Sequence, residues 1–535
     1  MRRTRFGDCG AGGGRYAPRA PASGLPVMGK FSSEASAPAQ AACVDPTRPA
    51  DLQKPLDHFR ARTRRLRVHS LEQALLGVIA VHLVVLPWAL GAMHPPAQFF
   101  SFGCSLLAFL LALIPRHYTE EESGSSAFRL VMWPKLLRFP IFWLGLALLT
   151  YLAIGALNPA WRYQTDGKAW WMLRLQAVPG LPAGVDLPFA QWGPPRMLML
   201  YASAWLTACA LWTGFTRRRP VQLLLGIVAV NGLLLALLGL AQRLVGNGKI
   251  FWLLEFPGRT PFASFVYKNH GGAYLFLTLA VTCGLAGWYY LRGQRRMEKS
   301  NPSGVLAFFA TCIAVSILTS YARGATLTML VFLLLCIGGF LLHQFRVPAE
   351  HRRPIVAFAL LLVFGFFLKT GFEALRSGEA WDRIRAGLAR EDASLESREW
   401  ATQGTWKMFQ DHALFGTGTS GFRALFPEYV KQDPRLAGMQ AQWHQAHNDV
   451  LQFPAEFGTV GMIPILLGLG WWLLRLIRSY FWENAFSVAT ILGLLLLVAY
   501  SWFDFPFQCP AILVTWCALW PAVTLWTQYE EQGSR

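Results

Sequence analysis

The sequence is poor in charged residues and has no recognisable cysteine pattern. Asp, Glu, Lys and Arg make up 15% of the 535 residues, whereas 54% are hydrophobic. One soluble core cannot bury that much apolar surface, so the composition excludes an ordinary soluble protein. The nine cysteines lack the spacing of a zinc site or a disulfide framework. Acidic residues are especially scarce, with 30 Asp and Glu against 49 Lys and Arg.

Long apolar runs occupy most of the remaining sequence. A helix crosses the hydrocarbon layer in about 20 apolar residues. By that length the sequence predicts an all-α polytopic membrane protein with about twelve transmembrane helices. They are expected at 71–92, 97–114, 137–156, 196–216, 221–243, 270–291, 304–321, 325–343, 354–371, 458–477, 485–503 and 507–527.

The Lys and Arg residues orient this arrangement, because short loops rich in them stay in the cytoplasm. With twelve helices, the basic clusters and both termini fall on one side; the clusters are 116–138, 217–219, 292–299, 346–353 and 475–478. The net charge of +19 is then explained mainly by cytoplasmic anchors that attract anionic lipid headgroups. Membrane lipids are therefore expected partners, and nucleic acid is not.

The same reasoning divides the chain into five parts. They are a disordered, basic cytoplasmic tail (1–68), nine helices (69–371), a long outer loop with short helices (372–457), three helices (458–527) and a cytoplasmic tail (528–535). Met28 is an alternative start, and the sequence does not choose between the two. No apolar core of a cleaved signal peptide follows the early arginines.

A polar, histidine-bearing segment at 444–461 leads directly into the tenth predicted helix. Polar side chains at a membrane surface are costly unless they line a wet cavity, and histidine exchanges a proton near neutral pH. The segment therefore predicts a reaction or binding site. His444 and His447 alone make a poor metal site because no third ligand lies nearby, so no metal and no cofactor are expected.

Several blocks together resemble the O-antigen ligase and polymerase superfamily. The specific block is Gln445-Ala-His447-Asn448-Asp449 followed by Glu456-Phe-Gly458 and Gly461. Supporting blocks occur in the expected order, at 87–95, 262–274, 320–324, 398–422 and 503–506. The similarity spans about 71–527. It implies a bacterial inner-membrane glycosyltransferase with a periplasmic active site, which matches the outer face deduced from charge.

The resemblance also implies roles for individual residues. The donor is a glycan on an undecaprenyl-diphosphate carrier, and the acceptor is a hydroxyl of lipid A-core or another glycan. Arginine suits a diphosphate because its planar fork meets phosphate oxygens and stays charged. Arg259 and Arg323 match the family's arginines by position, with Lys268 and Arg398 as further candidates, and Asn448 and Glu456 belong to the motif.

His447 is the predicted general base for the acceptor hydroxyl. Direct attack by the acceptor inverts the anomeric configuration, and the sequence contains no carboxylate pair that indicates a covalent glycosyl-enzyme.

Purely structural roles for some of these residues also remain open. Glu456 is equally well a structural residue, and Pro454 kinks any helix between it and His447. Arg323 fits a helix-end anchor, Asp504 fits a helix-packing partner, and the tryptophans fit an interfacial belt.

Three functions are compatible with the sequence. The first is ligation of a lipid-linked polysaccharide onto lipid A-core. The second is polymerisation of repeat units, or transfer onto a protein, by the same chemistry. The third is a membrane transporter of lipid-linked or anionic solutes. Transporters carry charges at the membrane midplane in broken helices, whereas polarity here collects on one face.

Overall fold

Apolar helices make up most of the protein. The computed structural model describes residues 68–119, 128–257, 260–297, 300–346, 354–376, 398–432 and 443–534. Its helices are α1 (Ser70–Trp88), α2 (Pro95–Leu113), α3 (Trp133–Leu137), α4 (Pro140–Leu157), α5 (Pro194–Gly214), α6 (Arg218–Val245), α7 (Lys268–Arg296), α8 (Ser303–Thr319), α9 (Arg323–Arg346), α10 (Pro354–Arg376), α11 (Gly421–Gln432), α12 (Asp449–Arg478), α13 (Ala485–Tyr500) and α14 (Pro510–Ser534). Residues 398–411 are also helical. The predicted tail at 1–68 lies almost wholly outside the described residues.

Helices occupy every position at which the sequence predicts a transmembrane segment. Nine helices of the described part are long and apolar enough to cross a membrane. Three positions hold shorter apolar helices, at Ser303–Thr319, Pro354–Thr370 and Ala485–Tyr500. The polytopic helical architecture is therefore confirmed, while the count of twelve spans stays a prediction.

The all-α prediction is incomplete, because two small sheets interrupt the helices. Strands β1 (Arg116–Tyr118) and β2 (Phe128–Leu130) pair antiparallel. In the second sheet β3 (Pro159–Thr165) lies between β4 (Trp170–Arg174), which is antiparallel to it, and β5 (Gly184–Asp186), which is parallel. Aromatic side chains favour strands. Trp161, Trp170 and Trp171 thus lie in a sheet, although the sequence suggests only an interfacial belt for them.

Helix α12 begins nine residues before the predicted span and is broken at Gly458, whose φ of 65° and ψ of 177° are not helical. The break lies at the start of the predicted span, so the apolar part was placed correctly. A glycine turn fills the break: the amides of Thr417 and Gly418 donate to the carbonyls of Ala455 (3.1 Å) and Glu456 (2.8 Å). These bonds satisfy carbonyls that the broken helix leaves without partners.

A second hydrophobic cluster lies apart from the main helix core and joins two distant segments. Its buried members come from 185–187 and from 401–455: Val185, Leu187, Ala401, Met408, Phe422, Ala424, Leu425, Phe426, Ala446 and Ala455. Trp161, Tyr163 and Met172 of the second sheet pack against it. We call this cluster the cap. It fixes the polar segment before α12 against the sheet.

One predicted cytoplasmic anchor is a buried ion pair instead. Arg116 lies 3.0 Å from Glu72, and both side chains are fully buried. The amide of Thr216 also donates to the Glu72 carboxylate at 2.9 Å. Arg116 therefore does not reach lipid headgroups, and its position in a basic loop gave no sign of this pairing. At the C-terminus α14 continues through Ser534, so the predicted separate tail at 528–535 is mostly an extension of that helix.

Candidate functional site

His447 lies immediately before α12, in a left-handed backbone conformation with a φ of 54°. The next residue, Asn448, is the N-cap of the helix, and its side-chain oxygen accepts a hydrogen bond from the amide of Leu451 at 3.1 Å. Asparagine is a preferred N-cap for this reason. The oxygen of Asn448 therefore has a structural role, and the side chain predicted to bind substrate is buried.

A buried carboxylate faces His447 from the segment between α13 and α14. The Nδ1 atom of His447 lies 3.7 Å from Oδ1 of Asp504. At this distance the contact is electrostatic, and Nδ1 has no hydrogen-bond partner in the described structure. Asp504 itself accepts hydrogen bonds from the side chain of Asn269, from the Tyr500 hydroxyl (2.9 Å) and from the Phe505 amide (2.9 Å). Three donors thus hold the carboxylate beside the imidazole.

The surroundings of Asp504 keep it ionised. Burial by itself raises the pKa of this carboxyl, but contact with His447, the charge of His270 and the Phe505 amide outweigh burial. The resulting pKa of Asp504 lies below its usual range. The negative charge of Asp504 therefore lies directly beside the imidazole of His447.

Aromatic rings fix the position of the His447 imidazole. Phe505 meets it edge to face, with centroids 4.7 Å apart, and Tyr267 stacks on the same Phe505 ring at 5.3 Å. The ring of His270 lies 3.2 Å, through Nε2, from the Phe505 carbonyl. The His447 side chain is still 24% exposed, so a substrate hydroxyl can reach it.

Two predicted cations lie near this cluster. Arg398 adjoins Tyr267 and acts electrostatically on Tyr500. Burial and the charge of Asp504 raise the pKa of the Tyr267 hydroxyl above its usual value, and Arg398 partly opposes this. Arg323 is exposed at the start of α9. Its neighbour Gly324 packs on Tyr500, since a Cβ there would lie 2.5 Å from the Tyr500 ring.

Lys268 and Arg259 are the two remaining predicted cations. Lys268 is the first residue of α7 and lies between Tyr267 and Asn269, both members of the cluster. Its amide donates to the carbonyl of Thr260 at 2.9 Å. Arg259 lies outside the described residues, so its predicted role stays a prediction.

Glu456 does not lie beside His447 but at the start of α11. Its carboxylate accepts hydrogen bonds from the amides of Ser420 and Phe422, both at 3.3 Å, and from the Gln452 side chain at 3.2 Å. A carboxylate at a helix N-terminus satisfies free amides and interacts favourably with the helix dipole. Glu456 therefore fastens the cap to α12, the structural role that the sequence left open.

The site also contains residues for which the sequence predicted no role in substrate binding or catalysis; Asp504 was expected as a helix-packing partner, and Tyr500 lies outside every matching block. Tyr267, Asn269, Tyr500 and Asp504 come from the ends of three helical segments, and no spacing rule connects them. In the sequence these residues share one feature: each is polar or amphipathic and lies at the edge of an apolar run. The described residues contain no group of three or more His, Cys, Asp or Glu arranged to hold a metal ion.

Part of the sequence matches a known protein family. Residues 306–466 match the family model described as O-Antigen ligase. The matched segment runs from α8 into α12 and includes Arg323, Arg398, His447 and Glu456. No curated protein matches the sequence. Over residues 306–466 the chain is therefore similar to the O-antigen ligase family, in agreement with the resemblance that its motif carries.

Proposed function

We propose that this protein transfers a glycan from an undecaprenyl-diphosphate carrier to a hydroxyl of lipid A-core at the periplasmic face of the bacterial inner membrane. The contact that carries the proposal is the one between His447 and Asp504, because it combines a proton acceptor with a fixed negative charge. Arg398, Lys268 and Arg323 near this pair supply positive charge for a diphosphate.

The reaction follows from these residues. The acceptor hydroxyl oxygen attacks the anomeric carbon of the donor sugar, and the bond from that carbon to the diphosphate oxygen breaks. His447 takes the proton of the attacking hydroxyl, and the electron pair of the broken bond stays on the diphosphate. Arginine and lysine side chains offset the charge that develops there. Attack on the face opposite the diphosphate inverts the anomeric configuration.

The central test replaces His447. His447→Ala should lower the rate of glycan transfer about 100- to 10,000-fold, the usual contribution of a general base, while the purified protein keeps its melting temperature. His343→Ala, an exposed histidine near the end of α9, is the matched control and should transfer normally. Near-normal transfer by His447→Ala at wild-type protein levels would exclude His447 as the base.

The acceptor is tested genetically. Deleting the gene and separating the lipopolysaccharide on a gel should abolish all capped material if the protein is the ligase. A single capped repeat would instead identify a polymerase, which shares the chemistry and differs in its acceptor. Unchanged lipopolysaccharide would favour transfer of the glycan onto a protein. Purified protein that moves solute across a membrane without transferring glycan would support the transporter hypothesis.

A further inference from the structure

A small polar pocket lies beside the segment that carries His447. Its walls come from the loop before α5, from α11, from the segment before α12, from α12 itself and from the turn before α14. The residues that matter for its chemistry are Trp192, Ser420, Arg423, Gln445, Glu456 and Gln508. The inner volume is about 10 Å³, which admits roughly one water-sized group. A larger molecule can therefore insert only one edge.

Arg423 is the group in this pocket that indicates a ligand. It lies in the first turn of α11, facing the carboxylate of Glu456, and burial lowers its pKa to about 10. Its guanidinium lies 5.7 Å from the Trp192 ring centroid, and within the described structure it donates no hydrogen bond. Its side chain is partly exposed, so its five N–H donors are accessible to a ligand that enters the pocket.

The neighbouring Glu456 decides what kind of ligand fits. Its carboxylate is already held by the amides of Ser420 and Phe422 and by Gln452, so it cannot move away from the pocket. Arg423 faces the carboxyl group of Glu456, which offsets its charge, so the guanidinium does not need an anion as its partner. A neutral group that accepts hydrogen bonds fits such a site. Hydroxyl groups accept hydrogen bonds from Arg423 and can also donate them.

Two amides give the pocket further capacity for hydroxyl groups. The Gln445 oxygen accepts from Gln452 and the Gln508 nitrogen donates to Asp449. The other end of each amide, the nitrogen of Gln445 and the oxygen of Gln508, has no hydrogen bond in the described structure. The pocket therefore offers donors from Arg423 and Gln445 and an acceptor from Gln508, close to the indole of Trp192. This combination suits the hydroxyl edge of a sugar.

The pocket lies close to His447, the proposed general base. Gln445 and His447 are two residues apart, so their Cα atoms are at most about 7 Å apart, a separation comparable with one sugar ring. We propose that the pocket of Arg423, Gln445 and Trp192 is a glycan subsite that receives the hydroxyl edge of the sugar next to the one reacting at His447. The inference rests on the proposed transferase function. Donor and acceptor glycans share this chemistry, and binding experiments distinguish them.

Binding is measured without turnover in the His447→Ala protein. The probes are two lipid-free saccharides released by mild acid, the core oligosaccharide and the donor glycan, and the measurement is saturation-transfer NMR with titration. One saccharide should bind, which identifies the source, and adding Arg423→Ala should weaken that binding at least tenfold. Adding Arg162→Ala, at an exposed ion pair on β3, should leave it unchanged. No binding of either saccharide, or equal binding with and without Arg423, would overturn the subsite.

A second measurement separates this proposal from the transferase itself. In the protein with His447 intact, Arg423→Ala should raise the KM for the same glycan at least tenfold and leave kcat nearly unchanged. Arg423→Lys keeps the charge beside Glu456 but loses the planar fork, so it should fold like the wild type and restore binding only partly. If the wild type transfers no glycan, the proposed function fails, and the binding experiment still decides the subsite.

Discussion

His447 and Asp504 lie in different segments of the chain, and their contact defines the candidate site. Neither residue is unusual alone: one precedes a helix and the other lies in a turn between two helices. Together they place a proton acceptor against a carboxylate that three hydrogen-bond donors hold in place. A buried carboxylate beside a histidine helps to hold the imidazole in place. We therefore expect the proposed transfer reaction to depend on Asp504 as well as on His447.

The lowered pKa of Asp504 gives a pH-dependent stability. Because its pKa in the folded protein lies below the ordinary value of about 4, the ionised form favours folding. This contribution is complete above about pH 4 and is lost as pH falls through the folded-state pKa. Between about pH 5 and pH 3, the melting temperature of the wild type should fall more than that of Asp504→Asn. Parallel curves for the two proteins would contradict this.

The control for that measurement is an exposed carboxylate. Glu428 on α11 is solvent-exposed and pairs only with Lys431 at the surface. Surface pairs of this kind contribute little to stability. Glu428→Gln should therefore follow the wild-type curve.

Arg323 should act on the donor rather than on the acceptor. Arg323→Ala should raise the KM for the diphosphate donor about ten- to a hundredfold, the cost of losing a charge-assisted hydrogen bond. Arg323→Lys should restore donor use only partly because it lacks the bidentate fork. Arg346→Ala, at the other end of α9, should have no effect. Complete rescue by lysine would indicate simple charge anchoring.

At the scale of elements, the broken helix α12 determines where the polar segment lies. Gly458 interrupts the helix, and the turn that contains Gly416 and Gly418 packs into the interruption. The backbones approach so closely that a Cβ at Gly416 would lie 2.3 Å from the Glu456 carbonyl oxygen. The Tyr151 hydroxyl, 2.7 Å from the carbonyls of Phe415 and Phe457, ties both segments to α4.

Alanine substitution should show how strongly this joint depends on glycine. Gly416 and Gly458 both have a positive φ, and a Cβ at Gly458 would lie 2.4 Å from the Gly416 nitrogen. Each Ala variant should lower the free energy of unfolding by at least about 2 kcal/mol, from left-handed strain and the clash. The melting temperature in detergent measures this. Gly470→Ala, on the same helix with open space around it, should be neutral or slightly stabilising. Wild-type stability of both variants would mean that the joint adapts.

At the scale of the whole molecule, the cap combines two loops that are distant in sequence. The second sheet comes from the segment between α4 and α5, and the helical part comes from the segment between α10 and α12. Their shared hydrophobic cluster includes Ala446, next to His447, and Phe422 and Ala424, on either side of Arg423. The proposed base and the proposed glycan subsite thus adjoin one packed cluster, which would keep their separation constant, as positioning a sugar requires.

The orientation of the whole molecule in the membrane can be tested with reporter fusions. Reporter fusions after Arg219, Arg296 and Arg478 should read cytoplasmic, because the short loops there are rich in Lys and Arg. Fusions after Gln432, in the outer loop that the sequence predicts at 372–457, should read periplasmic. A pair of reporters active on opposite sides of the membrane measures both. A periplasmic signal at any of the first three positions would overturn the twelve-helix topology and the periplasmic placement of the site.

The amino-acid sequence by itself determined that this is a polytopic helical membrane protein and that the block around His447 resembles the O-antigen ligase superfamily. Long apolar runs and a local motif are properties of contiguous residues, so they can be recognised without coordinates. Only the tertiary structure decided that Asp504 faces His447, that Glu456 caps α11, that Arg116 is buried with Glu72 and that Arg423 lines a pocket. These contacts join segments far apart in the chain, and neither periodicity nor spacing carries information about them.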